Sequence, residues 1–139
     1  MKRIFVVMAA LCVLSATKLP AQEPQNEEER LKNLYEAVDK EIERQTTSLD
    51  LEDWQIFRID STLTHDFQAM TDELLSLQKS KVSNTSAYQD VQDKWSEAIY
   101  RSYERILNKE QWEKYLKNGA LRAKKARDKR AEKNKQSGK

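Results

Sequence analysis

The chain has 139 residues, with 25 Lys and Arg against 23 Asp and Glu, and it contains two Gly, two Pro and one Cys. This length fits one small domain, and a single Cys excludes a disulfide within the chain. Because Gly and Pro mark most tight turns, their scarcity argues against a strand-rich fold.

The near-neutral total hides a separation of charge along the chain. Residues 22–113 hold 11 basic and 21 acidic side chains, a net charge of −10. Residues 114–139 hold 11 basic and two acidic side chains, a net charge of +9. This division predicts a dipolar molecule.

The N-terminal segment has the layout of a secretory signal peptide. Two basic residues precede an uncharged run over residues 4–16, which is too short to span a bilayer as a helix. We predict cleavage after Ala21, so that residues 1–21 are removed and the mature chain is periplasmic. The alternatives are secretion, an uncleaved anchor and a lipoprotein modified at Cys12. Cleavage would remove the only thiol, and with it any thiolate metal site or cysteine nucleophile.

We predict an all-α domain over residues 22–121. Residues 25–118 contain neither Gly nor Pro, and the strong helix formers Glu, Lys, Gln, Leu and Arg dominate. The first helix is predicted over residues 26–45, because Asn26 is a suitable N-cap and apolar residues then recur on one face. Short polar residues at 46–48 predict a break.

A second, long helix is predicted from about residue 51 to residue 79. Its apolar residues recur at intervals of three or four, as on one face of a helix: Ile56, Ile59, Leu63, Phe67, Met70, Leu74 and Leu77. At 1.5 Å per residue such a helix is ~45 Å long. A helix of this length needs a partner along its apolar face.

The third helix is predicted over residues 87–107, with Ser86 as its cap. A short polar connection before it makes the second and third helices antiparallel neighbours. A fourth helix begins after Asn108. The predicted fold is therefore all-α, an elongated antiparallel helical hairpin with flanking helices, about four helices in total.

The C-terminal segment, residues 122–139, is predicted to be a basic, flexible and solvated tail, either a fraying helix or disordered, because its only apolar residues are alanines. Three roles fit this composition. The tail is a solubilising extension, an arm that folds back on the acidic bundle of its own or a partner subunit, or an attractor for anionic envelope surfaces and acidic clients. No aromatic residue is available for base stacking, and nucleic acid is not an expected partner.

Two similar stretches flank the predicted hairpin, LDLEDW at residues 49–54 and LNKEQW at residues 107–112. In the second, Asn108 and Gln111 are predicted to form a capping box, in which each side chain accepts from the other residue's backbone N–H. The apolar residues on either side form a hydrophobic staple, Leu107 with Trp112. In the first stretch the corresponding residues are Leu49, Asp50, Asp53 and Trp54.

Together with the export signal, the two stretches resemble the LTxxQ motif of the Spy/CpxP family of periplasmic proteins. The second copy, residues 107–111, departs from that motif only by Asn in place of Thr, and Asn caps a helix equally well. The first copy departs at both the Thr and the Gln positions, where it has Asp50 and Asp53. The resemblance covers residues 49–116, in addition to the signal peptide and the hairpin.

The resemblance implies long bent helices in a hairpin, two copies of which join into an intertwined or cradle-like homodimer. It also implies ATP-independent chaperone activity on the concave face, or binding to a sensor domain in an envelope stress response. Some relatives bind zinc through His or Met near the termini. In this chain His65 is the only His and has no second ligand at helical spacing, so neither a metal nor another cofactor is predicted.

We therefore expect an exported, ATP-independent chaperone-like or stress-response protein that binds non-native polypeptides. An enzyme is not expected, because the sequence contains no motif for nucleophilic, phosphate-binding or metal-dependent catalysis. The alternatives are a regulatory or structural adaptor for one envelope protein and a metal-responsive envelope protein. The side chains expected to contact clients or partners are Tyr35, Phe57, Phe67, Met70, Arg122, Lys124, Lys125 and Arg127.

Overall fold

The structure, a computed structural model, describes residues 27–138, and every regular element in that range is helical. The elements are α1 (Glu27–Leu49), α2 (Asp53–Lys79), α3 (Thr85–Ile106), α4 (Lys109–Tyr115), a π-helical segment (Leu116–Ala120) and α5 (Leu121–Gln136). The all-α prediction is confirmed. The predicted signal peptide, residues 1–21, lies outside the described residues. None of the helices between residues 27 and 138 is long and apolar enough to cross a membrane.

The predicted central hairpin consists of α2 and α3, which share the most extensive helix–helix interface. The chain turns after α2 at Lys81, which has a positive φ of 52°, and the N–H of Val82 donates to the carbonyl of Leu77 at 3.0 Å. Asn84 then caps α3 by accepting from the N–H of Ser86 at 3.0 Å. The cap therefore lies two residues before the predicted one.

Helix α1 extends to Leu49, beyond the break predicted at residues 46–48. The hydroxyl of Thr47 donates to the carbonyl of Glu43 at 3.0 Å, so it is satisfied within the helix and does not compete with it. Leu49 is fully buried and fixes the last turn in the core. Asp50 follows with a positive φ of 55°, and its N–H donates to the carbonyl of Thr46 at 3.0 Å, which ends the helix in a left-handed cap.

The fully buried core joins α1 and α2 to α3 and the connection that follows it. Its members are Leu34, Val38, Leu49, Leu51, Ile59, Leu63, Tyr103 and Leu107. Trp112 and Tyr115 of α4 pack against this cluster from one side. Since a fully buried large apolar side chain contributes about 1.5–3 kcal/mol, this cluster is the main source of stability.

The rest of the hairpin is packed differently. Within residues 64–99, all of which the structure describes, no apolar side chain is fully buried. We use the term hairpin strip for the half-buried apolar side chains of α2 and α3 in this range, namely Phe67, Met70, Leu74, Leu77, Val91, Trp95 and Ile99. The predicted apolar seam therefore exists, but only Ile59 and Leu63 of its members are fully covered.

The segment predicted to be a solvated tail, either a fraying helix or disordered, is helix α5, which packs along α3 in the opposite direction. The chain kinks between α4 and α5 at Gly119, whose φ of 114° is rarely accessible to any other residue. Nothing lies within 4 Å of a Cβ placed there, so this Gly is required by the backbone conformation and not by crowding.

Candidate functional site

The structure moves the first helix start two residues along the chain from the predicted position. Glu52 is the N-cap of α2, and its N–H donates to the Oε1 of Gln55 at 3.0 Å. Asp50 instead ends α1, and Asp53 is the first residue of α2, so the capping roles predicted for these two residues are wrong. Gln55 has the additional methylene that lets a side chain reach back to the cap, which Asp53 lacks.

The predicted staple between Leu49 and Trp54 is also wrong. Leu49 belongs to the buried end of α1, whereas Trp54 is 52% exposed and its indole N–H donates to the carboxylate of Glu52 at 2.8 Å. The residues that flank the cap at the staple positions are Leu51, which is buried, and Ile56, which packs against the core.

The second helix start has the predicted arrangement. The Oδ1 of Asn108 accepts from the N–H of Gln111 at 2.9 Å, and the Oε1 of Gln111 accepts from the N–H of Asn108 at 3.0 Å. Leu107 is buried, and Trp112 packs against the core. The capping box predicted here is confirmed.

With the corrected position of the first helix start, the sequences of the two helix starts are more similar than LDLEDW and LNKEQW are. They are LEDWQ at residues 51–55 and LNKEQ at residues 107–111, each with a buried Leu, a capping residue, two variable residues and a Gln. The first copy therefore has Gln at the position where LTxxQ requires it, and only Thr is replaced, by Glu52.

The two motif glutamines meet inside the protein, and we call Gln55 and Gln111 the glutamine pair. Their side chains form two hydrogen bonds with each other, from Gln55 Nε2 to Gln111 Oε1 at 2.7 Å and from Gln111 Nε2 to Gln55 Oε1 at 2.9 Å. Gln55 is 1% exposed and Gln111 is 6% exposed. The second N–H of each amide donates to a backbone carbonyl, that of Ile106 and that of Asp50.

The glutamine pair is fully satisfied. Each amide uses both N–H groups, and each Oε1 accepts twice, once from the other Gln and once from its own N-cap N–H. Reversing either amide would point its NH₂ group at a backbone N–H, so the orientation is determined. A satisfied buried network of this kind joins the α1–α2 turn to the α3–α4 turn with a specific geometry.

An aromatic cluster lies beside the glutamine pair. The rings of Tyr103 and Tyr115 are stacked at 4.7 Å, and Trp112 meets Tyr100 edge-on at 5.0 Å. Burial raises the pKa of Tyr103 and of Tyr115 well above the usual range of tyrosine, because the phenolate would lose its hydration. The buried hydroxyl of Tyr103 has no hydrogen-bond partner among the described residues.

The aromatic residues expected to contact clients fall into two groups. Phe57 is 72% exposed and lies one turn from Trp54 on α2, so these two side chains form one exposed apolar patch. Tyr35 is also exposed, but the contact between Arg30 and Asp72 shows that it lies beside the middle of α2, about 15 Å along the helix axis from Phe57. Phe67 and Met70 belong to the hairpin strip.

The four basic residues expected to contact clients also fall into two groups, those that contact α3 and those that are exposed. Arg127 is buried between α3 and α5, where it donates to Glu97 at 3.1 Å and lies 5.6 Å from the ring centroid of Tyr100, so its predicted role as a surface contact is wrong. Lys124 lies 3.6 Å from the same carboxylate. Arg122 and Lys125 are exposed.

The remaining contacts between α5 and α3 are also polar. Arg130 donates to both carboxylate oxygens of Asp93, at 2.6 and 2.7 Å, and Asn134 donates to Asp90 at 3.1 Å. The pKa of Arg130 is raised by this hydrogen bond to Asp93. Helix α5 is therefore held on α3 mainly by charge, because it has only alanines to offer as apolar side chains on this face.

His65 is an exposed residue of α2, and its Nδ1 lies 2.8 Å from the carboxylate of Asp66. In residues 27–138 no group of three or more His, Cys, Asp or Glu side chains is arranged to hold a metal ion.

Comparisons with protein-family models, with curated proteins and with solved structures find no match to this chain. The resemblance to the Spy/CpxP family therefore rests on the two motifs and on where the structure places them, and membership of that family stays a prediction.

Proposed function

We propose that this chain is an exported, ATP-independent protein that binds non-native polypeptides in the periplasm. The observation that carries the proposal is the hairpin strip, a line of apolar side chains along α2 and α3 that the described chain leaves half-buried from residue 67 to residue 99. The two LxxxQ helix starts and the predicted signal peptide support the same conclusion through their resemblance to the Spy/CpxP family.

The hairpin strip suits a disordered client for a physical reason. Folded proteins bury their apolar side chains, and contiguous apolar surface that stays accessible marks an interaction site. A non-native polypeptide exposes apolar residues without a fixed shape, so a long, half-buried strip is a better match for it than an enclosed pocket. The acidic side chains on the neighbouring helix faces keep the protein soluble while the strip is accessible.

A second apolar site strengthens the proposal. Phe57 and Trp54 project from the first turns of α2 into solvent although larger parts of the same helix are covered by α1 and α3. Exposed aromatic side chains of this kind are frequent anchors in protein interfaces.

The test is an aggregation assay with a heated or reduced client protein and the mature chain, residues 22–139, without nucleotide. We expect the mature chain to suppress light scattering at equimolar ratio. The variants Trp54→Gln with Phe57→Gln, and Met70→Gln with Leu77→Gln, each reduce suppression, because they replace apolar surface while the side chains concerned lie outside the fully buried core. The matched control replaces exposed polar residues, Gln68→Asn with Gln78→Asn, and keeps full suppression.

If the mature chain leaves client aggregation unchanged, the chaperone proposal is wrong. A single strongly retained protein in a pull-down from envelope extract, without general suppression of aggregation, would instead support the adaptor hypothesis.

A further inference from the structure

We propose that the outer face of α5 docks on membrane surfaces rich in anionic phospholipid. Lys125, Lys129 and Lys133 are exposed and follow one another at intervals of four residues, so they form one line along the helix. We call these three residues the outer stripe. The inference concerns a different surface from the hairpin strip and does not depend on polypeptide binding.

The direction of the outer stripe follows from the residues that hold α5 in place. Arg127, Arg130 and Asn134 all bond to acidic side chains of α3. At 100° per residue these three side chains share one side of the helix. Lys125 and Lys129 lie on the opposite side, and Lys133 lies at its edge, beside the groove that Arg130 and Asn134 line. None of the three lysines of the stripe makes an ion pair within the described part of the chain.

The ion pairs between α5 and α3 also change the charge that this side of the molecule presents to an anionic surface. Residues 22–113 carry a net charge of −10, and an acidic bundle is repelled by an anionic surface. Because Arg127 and Arg130 neutralise Glu97 and Asp93, α5 covers acidic side chains of α3 and places positive charge outside them. The result is a molecule that offers a cationic side to a surface although most of the chain is acidic.

Lipid fits the outer stripe better than nucleic acid does. Leu121 is an exposed large apolar residue and lies one helical turn before Lys125, on the same edge of α5. Lysines beside an exposed leucine match a bilayer, in which phosphate groups lie above acyl chains. Helix α5 contains no aromatic residue on which a base could stack. Glu132 lies near the stripe and reduces its charge, but three lysines outnumber it.

The experiment measures co-sedimentation of the mature protein with vesicles of phosphatidylcholine alone and of phosphatidylcholine with phosphatidylglycerol. We expect binding only to vesicles that contain phosphatidylglycerol, and a decrease as salt is added, because exposed charges are screened. The variant Lys125→Gln with Lys129→Gln and Lys133→Gln is expected to bind about a hundredfold more weakly, since each Lys near an anionic surface contributes about a factor of five.

The matched control removes three exposed lysines elsewhere, Lys32→Gln with Lys40→Gln and Lys109→Gln, and therefore makes the same change in net charge. It is expected to retain phosphatidylglycerol-dependent binding within about threefold, and circular dichroism verifies that both variants stay helical. Equal loss in both variants, or equal binding to the two kinds of vesicle, would overturn the proposal. So would binding to duplex DNA without binding to phosphatidylglycerol vesicles.

Discussion

At the scale of single residues, the glutamine pair is expected to have a large effect on the stability of the fold. Two neutral amides buried at 1% and 6% exposure are tolerable only because every donor and acceptor has a partner. Removing one amide leaves the other buried without its partner, which is worse than having neither.

A double-mutant cycle tests this dependence. We expect Gln55→Leu and Gln111→Leu each to lower the free energy of unfolding by about 2–4 kcal/mol, since each leaves buried polar groups unsatisfied. The double variant should lose less than the sum, with a coupling energy of about 1–3 kcal/mol. Urea unfolding measures all three values. Gln68→Leu, at an exposed position of α2, is the control and should change stability by less than about 0.5 kcal/mol. Additive losses at the two glutamines would contradict the interpretation.

Tyr103 differs from the glutamine pair in its hydrogen bonding, because its buried hydroxyl has no hydrogen-bond partner among residues 27–138. We expect Tyr103→Phe to leave stability unchanged or to raise it by up to about 1 kcal/mol. The matched control is Tyr88→Phe, which removes a hydrogen bond of 2.9 Å to the carbonyl of Val82 and should lower stability by about 1 kcal/mol. Thermal unfolding compares the two variants. A larger loss at Tyr103 than at Tyr88 would show that the buried hydroxyl is satisfied.

The same tyrosines predict a dependence on alkaline pH. Burial raises the pKa of Tyr103 and Tyr115 in the folded state, so the folded chain keeps protons that the unfolded chain releases. Their contribution to stability is complete below about pH 10, the usual tyrosine pKa, and decreases as pH rises above it. We expect the thermal midpoint to fall less steeply above pH ~10 in the Tyr103→Phe with Tyr115→Phe variant than in the unchanged protein. Equal slopes would contradict the assigned burial effect.

At the scale of elements, periodic patterns predicted the helices well and their ends less well. The apolar intervals of α2 and α3 identify the hairpin because a helix that buries one face must repeat every three or four residues. The end of α1 was missed because Thr46 and Thr47 favour a break only when no tertiary contact holds Leu49 in the core. Such tertiary contacts cannot be predicted from the neighbouring residues in the sequence.

The first helix start shows the same limitation. Asp50 and Glu52 are both able to precede a helix, and the local sequence does not choose between them. The choice follows from Gln55, which finds Gln111 at a separation of 56 residues. Only the second copy, where Asn108 has no competitor nearby, was predictable from its own residues.

The packing of α5 on α3 was not predicted, because apolar periodicity was the criterion and α5 has none. A signal was nevertheless present in the charges. Acidic residues of α3 occur at 90, 93 and 97, with intervals of three and four, and their partners on α5 occur at 127, 130 and 134, with the same intervals. Side chains at such intervals share one face of each helix, so three acidic residues on α3 and two arginines with an asparagine on α5 predict two helices that pair along their length.

A helix held by charge should respond to salt. We expect amide exchange in α5 to accelerate between about 0.1 M and 1 M salt, as the Debye length falls from ~10 Å to ~3 Å, while exchange in α2 changes little. Asp93→Arg should release α5 in the same way, and Asp93→Arg with Arg130→Asp should restore its protection. Hydrogen exchange followed by mass spectrometry resolves the two helices. Unchanged protection of α5 in Asp93→Arg would show that the ion pairs are not what holds it.

At the scale of the whole molecule, the half-buried hairpin strip also bears on oligomeric state. We propose that the mature chain forms the homodimer that the family resemblance implies, and that without a client the two copies cover each other's hairpin strip, so that clients compete with the second copy for it. We expect a dimer in sedimentation at about tens of micromolar, and a thermal midpoint that rises with protein concentration, as it does whenever association stabilises the fold. Leu74→Glu with Leu77→Glu should give a monomer, whereas Gln68→Glu with Gln78→Glu, on exposed positions of α2, should not. A monomer at every concentration would contradict the dimer.

The separation of 56 residues between Gln55 and Gln111 finally has a kinetic consequence. Contacts between neighbouring turns of a hairpin form early, whereas a contact that closes a long loop forms only after the helices between its ends are in place. Gln55→Leu should therefore accelerate unfolding and leave the refolding rate nearly unchanged, which stopped-flow measurements in urea can establish. A matched decrease in the refolding rate would place the pair in the folding nucleus instead. On this view the pair determines how long a folded molecule survives, and it has little influence on how quickly one forms.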